Sequence, residues 1–126
     1  MKTILVVDDS RIMRNLVKNY FSDLNINCEY LEAADGDEAF SFLTTNQVDL
    51  VLLDWNMPKL SGIEFLKKVR SLNKFLKLPI IMVTSESAKY NVIEALKLGA
   101  TDYIVKPINA KLFNEKVSKV FKWRKN

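Results

Sequence analysis

The sequence predicts an α/β fold, a mostly parallel sheet of five strands with helices packed on both faces. Three observations predict it. Five short apolar runs alternate with five segments that carry apolar residues at helical spacing, joined by short connections. Several strand runs are apolar almost throughout instead of alternating, as strands covered by helices on both faces should be. Acids, hydroxyls and a lysine stand just after those runs, at the edge where the crevice of a doubly wound sheet opens.

In chain order, Thr3 to Val7 is β-branched and apolar and reads as a buried strand ending at Asp8-Asp9. Ser10 is a candidate cap for a helix over 11–22, where Ile12, Leu16, Val17 and Tyr20 recur at helical spacing and are expected to pack on the sheet. Cys28 to Ala33 includes Glu29 and Glu32, charges that an edge strand tolerates. Ala34-Asp35-Gly36 turns the chain, and Asp35 or Asp37 caps a helix carrying Ala39, Phe40 and Leu43. The run from Val48 to Leu53 is broken only by Asp49 and contains the central strand, Leu50 to Leu53, which leads into Asp54.

A loop with Asn56, Pro58 and Gly62 follows, then a helix marked by Ile63, Leu66, Val69 and Arg70, with Leu72 near its end. Pro79 opens the next strand, where its missing N–H need not break the ladder. Ile80 to Val83 then ends at Thr84-Ser85. A helix from about Ser87 to Leu98 places Val92, Ala95 and Leu96 on one face, with Gly99 as its C′ residue. Thr101 to Val105 is the fifth strand. After Lys106-Pro107, the last helix uses Leu112, Phe113, Val117, Val120 and Phe121.

The 126 residues, 48% hydrophobic and 27% charged, suit a single domain over 1–126 with a core of its own. No leader pattern and no long apolar run is present, so a cytoplasmic location without a membrane span is expected. Cys28 is alone, which excludes an internal disulfide and agrees with a reducing compartment. The absence of His removes imidazole acid–base chemistry and the common zinc sites. The formal net charge is +4, with basic residues in the tail KWRKN and at Lys67, Lys68, Lys74 and Lys77. The tail suits a solvated helix end. DNA binding wants a basic recognition helix with a defined mate, and none is evident, so no nucleic-acid partner is expected.

The chemistry-bearing residues follow different strands: Asp8 and Asp9 the first, Asp54 the third, Thr84 and Ser85 the fourth, Lys106 the fifth. Three carboxylates brought to one sheet edge repel one another unless a cation compensates. Hard oxygen ligands without His or a Cys cluster suit Mg²⁺. A metal, an ammonium and a hydroxyl around one carboxylate suit a transferring phosphoryl group, whose oxygens need compensation from several sides. Asp54 is then the nucleophile and would form an acyl phosphate. Asp9 ligates the metal directly, Asp8 directly or through water, and the Asn56 carbonyl offers another ligand. Lys106 pairs with the phosphoryl oxygens and the Thr84 hydroxyl bonds one of them.

This pattern resembles the response-regulator receiver domain over nearly the whole chain, and within that family the stand-alone chemotaxis regulators. The resemblance rests on VVDDSRIMR at 6–14, LLDWNMPKLSG at 52–62, VTSE at 83–86 and GATDYIVKPI at 99–108. It implies a flavodoxin-like (βα)5 arrangement in three α/β/α layers, with strand order 2-1-3-4-5 and a cis Lys106-Pro107 bond. It implies Asp54 as phosphoacceptor, Asp8, Asp9, Asp54 and Asn56 around Mg²⁺, and Thr84 and Lys106 as the switch and phosphate-contacting residues. The implied donor is a phosphohistidine on a sensor histidine kinase, or a small acyl phosphate. Tyr103 becomes a ring that swings inward as Thr84 moves, and Lys89, Tyr103 and Lys116 match positions that contact a flagellar motor-switch protein. Asn56 and Glu86 match positions that tune dephosphorylation, with a phosphatase as a further candidate partner. No output or DNA-binding segment is expected, so a monomer would signal through protein contact.

Two other readings share part of this chemistry. A receiver in a phosphorelay passes its phosphoryl group to a His on another protein. An aspartyl-nucleophile phosphohydrolase usually has a second acid close to the nucleophile and a cap domain, whereas Asn56 stands at the nearby position and the chain is short. A purely structural account leaves the clustered acids unexplained.

Overall fold

The computed structural model describes residues 1–55, 57, 60–85 and 89–124, with side chains for all of these except 89–91 and 122–124. Strands and helices alternate: β1 (Lys2–Val7), α1 (Arg11–Ser22), β2 (Cys28–Ala33), α2 (Gly36–Thr45), β3 (Leu50–Asp54), α3 (Gly62–Arg70), β4 (Ile80–Thr84), α4 (Lys89–Lys97), β5 (Asp102–Val105) and α5 (Ala110–Arg124). A short 3₁₀ turn, Asn73–Phe75, lies between α3 and β4. The sheet has the order β2-β1-β3-β4-β5 and every pairing is parallel. This is the flavodoxin-like arrangement expected from the sequence, and β2 is at an edge as its glutamates required.

Alternate residues of the buried strands serve two cores. Leu5, Val7, Val51, Leu53, Ile80 and Met82 pack with Ala39, Leu43, Phe65, Leu66, Val69 and Ala95 from α2, α3 and α4. Ile4, Val6, Leu50, Leu52, Ile81 and Val83 pack with Val17 and Phe21 of α1 and with Phe113, Val117, Val120 and Phe121 of α5. The period of two along each strand therefore explains both layers, and the inner strands are apolar because each face has a helix above it. Asp49, the break in the central run, is accounted for by its position. It precedes β3, and its Oδ2 accepts the N–H of Thr3 at 2.8 Å.

Local signals behave as their chemistry requires. Ser10 caps α1, its Oγ accepting the Met13 N–H at 3.2 Å. Asp35 rather than Asp37 caps α2, accepting the Glu38 N–H at 2.9 Å. Gly99 follows α4 at φ 108°, a left-handed conformation that favours glycine, and its N–H reaches the Leu96 carbonyl. The Lys106-Pro107 bond is cis. The fourth helix is described from Lys89 to Lys97, and the expected start at Ser87 lies outside the described residues.

Three helix faces differ from expectation. Ile12 is 80% and Leu16 37% exposed, while Val17 and Phe21 are the buried residues of α1. The apolar stripe of α1 is wider than the strip that the sheet can cover, and Phe21 anchors it from the last turn. Its ring meets Phe113 edge-on at 5.0 Å between centroids. Leu96 and Leu112 are likewise exposed, on α4 and α5, because Ala95 and Phe113 take the inward positions beside them.

Phe21→Ala is expected to cost about 3–5 kcal/mol, whereas Ile12→Ala should change stability by less than about 0.5 kcal/mol. Urea unfolding of the two variants checks which face of α1 is the core face.

Candidate functional site

The sheet register brings the acids together. Val7 of β1 is level with Leu53 of β3, so the next residues, Asp8 and Asp54, emerge side by side from adjacent strands. Their first crossovers go to opposite faces, α1 to one core and α3 to the other, which leaves a crevice above these two strand ends. Asp8 and Asp54 are buried, at 5% and 6% exposure, and Asp9 is exposed. One carboxylate oxygen from each of Asp8, Asp9 and Asp54 lies within 4.8 Å of the others.

Lys106 reaches this cluster from the end of β5. Its Nζ lies 3.1 Å from Asp54 Oδ1 and 3.5 Å from Asp8 Oδ2. Its backbone N–H donates to the Thr84 carbonyl at 2.7 Å, which ties the lysine to the end of β4. Thr84 is buried, one residue beyond Val83, the register partner of Asp54. Four strand ends thus supply the residues that the sequence singled out.

Burial, and then the charge of Asp8, pushes the Asp54 carboxyl above its ordinary value, although the bond and charge of Lys106 act the other way. Burial also works against the charge of Lys106, but its contacts with Asp54 and Asp8 outweigh it and raise its pKa. One ammonium against three carboxylates leaves an excess of negative charge. All three ligating groups are hard carboxylate oxygens, and the chain has no His. This donor set fits a divalent cation of the oxygen-seeking kind, and the cluster is capable of binding one.

Gly62, the first residue of α3, explains how the loop after Asp54 closes. A Cβ there would stand 2.4 Å from the Asp54 carbonyl oxygen and 3.0 Å from the Trp55 Cα. Only a residue without a side chain lets α3 begin against the backbone of β3, with the Gly62 N–H on the Trp55 carbonyl at 3.1 Å.

Tyr103 and Lys116 form a second group on β5 and α5. Lys116 Nζ lies 4.0 Å from the centroid of the half-buried Tyr103 ring and 3.1 Å from Asp102 Oδ1. It also donates to the Tyr103 carbonyl. A depression of about 260 Å³ beside them is lined by Tyr103, Lys106, Pro107, Leu112 and Lys116, so Lys106 borders both groups. Asn56 and Glu86 lie outside the described residues, as does the side chain of Lys89. Sequence reasoning missed Arg14, which donates from Nη1 to the Asp8 carbonyl at 2.6 Å. Its place in the first turn of α1 gave no signal, because the contact depends on where the strand end lies.

Residues 4–118 match the family described as "Response regulator receiver domain". The chain is 47% identical over 118 residues to a chemotaxis protein CheY homolog of Campylobacter jejuni, covering 93% of this chain and 90% of that protein. It superposes on the receiver domain of Francisella response regulator 1452 with a TM-score of 0.87 at 31% identity, covering 98% of this chain and 99% of that one. The Mn²⁺-bound form of response regulator Rcp1 is similar at a TM-score of 0.81 and 28% identity, over 95% of this chain and 91% of that one.

The raised pKa of Asp54 carries a sign. The unfolded chain loses this proton more readily than the folded one, so the stability present below the ordinary value of 3.8 is lost as pH rises through the folded pKa. Asp54→Asn is therefore expected to raise the Tm of metal-free protein at neutral pH, with the gain fading as pH falls below the ordinary carboxylate range. Calorimetric melts across pH in chelator check it.

Proposed function

The chain belongs to the response-regulator receiver family, and from that premise we propose that it is a phosphorylation-controlled switch of a two-component system. Residues 1–126 act as one receiver domain, Asp54 accepts the phosphoryl group, Mg²⁺ is the cation, and a protein partner reads the result. The observation that carries this reading is the buried Asp54 carboxylate, 3.1 Å from Lys106 and grouped with Asp8 and Asp9.

The donor is a phosphohistidine of a sensor histidine kinase or a small acyl phosphate. An oxygen of Asp54 attacks phosphorus, an O–P bond forms, and the P–N bond to the donor imidazole breaks with its electron pair going to nitrogen. With an acyl phosphate the P–O bond breaks and a carboxylate leaves. Asp8, Asp9, Asp54 and the Asn56 carbonyl would hold Mg²⁺, which supplies positive charge for the phosphoryl oxygens. Lys106 already stands beside the nucleophile and neutralises part of the charge that gathers there. Thr84, at the end of the neighbouring strand, donates its hydroxyl to a phosphoryl oxygen. Asn56 and Glu86 tune the loss of phosphate, by orienting water or by engaging a phosphatase.

The output is the face formed by α4, β5 and α5, and the partner is a flagellar motor-switch protein of a chemotaxis system in the cytoplasm, bound by a monomer. The likeness to relatives named as chemotaxis proteins supports this choice. Lys106 supports a route, since it borders both Asp54 and the depression beside Tyr103. In the unphosphorylated molecule the Lys116 ammonium is engaged by Asp102 and by Tyr103. Thr84 moving toward the phosphate and Tyr103 turning inward would loosen that engagement and present Lys116, with Lys89, to an acidic segment of the partner.

With a small acyl phosphate and Mg²⁺, wild type is expected to gain the mass of one phosphoryl group and Asp54→Asn to gain none, as read by intact mass. No mass gain in wild type with any donor overturns the reading. Lys116→Glu is expected to weaken binding of the phosphorylated protein to a motor-switch peptide at least about tenfold at low salt, the lower end of coupling between close charge pairs. Titration of labelled peptide measures it, and unchanged affinity removes Lys116 from the partner surface.

A further inference from the structure

We infer that Arg14 is a positioning residue for the acidic cluster: held by Glu32, it clamps the Asp8 carbonyl and thereby sets where Asp8 and Asp9 stand toward a divalent cation. This rests on the metal-binding part of the function proposed above.

Asp8 is the first residue beyond β1, where the ladder runs out. Its N–H is still held by the sheet, donating to the Ala33 carbonyl at 3.0 Å. Its carbonyl is held by Arg14 Nη1 at 2.6 Å. Its Oδ1 accepts the Ser10 N–H at 2.8 Å and its Oδ2 faces Lys106. A residue so restrained cannot swing away from its neighbours, even though like charge from Asp9 and Asp54 favours separation. Of these restraints, the Arg14 bond is the one that acts on the peptide joining Asp8 to Asp9.

Arg14 is itself aimed. Its Nε donates to Glu32 Oε1 at 3.0 Å, while Lys18 Nζ takes Glu32 Oε2 at 2.9 Å. Lys18, and then Arg14, hold the Glu32 carboxyl below its ordinary range, so it stays ionised at neutral pH. Glu32 lies on β2 opposite Val6, so the anchor belongs to the rigid sheet. The Arg14 side chain is only 15% exposed. Two acceptors in different directions, a carboxylate and a carbonyl, require a planar fork with donors at Nε and Nη1. A lysine ammonium reaches one or the other without setting the angle between them. Partners that orient ligands behind a metal typically change its affinity tenfold or more when removed. An exposed ion pair with no such role changes stability slightly and leaves the metal site alone.

The test compares Arg14→Ala, Arg14→Lys and Glu32→Gln with wild type by two readouts. The first is Mg²⁺ affinity from calorimetric titration of the full chain. The second is amide exchange at Ser10 in metal-free protein, where the proton bonded to Asp8 Oδ1 reports on the turn directly. Arg14→Ala is expected to weaken Mg²⁺ about tenfold and to speed Ser10 exchange, with Arg14→Lys close to it. Glu32→Gln should fall between wild type and Arg14→Ala, and should add little in the Arg14→Ala background. Wild-type affinity and wild-type exchange in Arg14→Ala, or full rescue by Arg14→Lys, overturns the inference. If wild type itself takes no Mg²⁺, the proposed function fails at its metal, and Ser10 exchange alone still decides whether Arg14 clamps the turn.

Discussion

Two buried carboxylates share one ammonium. Asp8 and Asp54 emerge level from adjacent strands, and Lys106 comes within reach of both. Asp9 adds a third negative group to the cluster. Such an arrangement is not the most stable way to end three strands. Burial and mutual repulsion raise the Asp54 pKa, which means that ionising it works against the fold. The surrounding structure holds the groups in place against that repulsion. The same excess of negative charge that opposes folding is what gives a divalent cation its affinity for this crevice.

The scaffold meets that demand through stiffness. β3 and β4 are buried along their full lengths, and each has helices above and below. The strands therefore fix their carboxyl ends to within the tolerance of core packing. Gly62 lets α3 start directly against the backbone of Asp54 and Trp55, which holds the first turn of that helix against the end of β3. On the other flank, the Arg14–Glu32 pair ties the Asp8 turn to β2. The acid cluster is braced by α3 on one side and by β2 on the other.

Lys106 joins the cluster to the face beyond it. Its ammonium belongs to the acids, its backbone N–H to Thr84, and the residue also borders the depression near Tyr103 and Lys116. A change of charge at Asp54 therefore acts on a residue that already spans the distance to β5. Lys116 is the counterpart on that face, bonded to Asp102 and stacked on Tyr103. Reading Lys116 as a ready partner contact overlooked this internal engagement, which nothing in the local sequence around it foretells.

Much of the architecture was legible because it follows from short-range rules. Apolar runs bounded by turn residues gave the strands, Ser10 marked one helix start and the pair Asp35 and Asp37 another, with the structure choosing Asp35, and Gly99 marked a helix end as a residue free to take the positive φ found there. The candidate site residues were legible because each lies at or just beyond the end of a strand, and parallel strands bring their carboxyl ends to one edge. Their distances, their burial and the pKa of Asp54 were set by register, which depends on which strands are neighbours. The inward face of α1 was decided in three dimensions too. Its apolar residues extend around more of the helix than the sheet can cover, so Phe21 went inside and Ile12 stayed in solvent. Arg14 and Glu32 meet across 18 positions of chain because α1 lies against β2. Periodicity and turn chemistry are carried by neighbours in sequence, whereas ion pairs, helix rotation and the electrostatics of a crevice exist only once distant segments have packed.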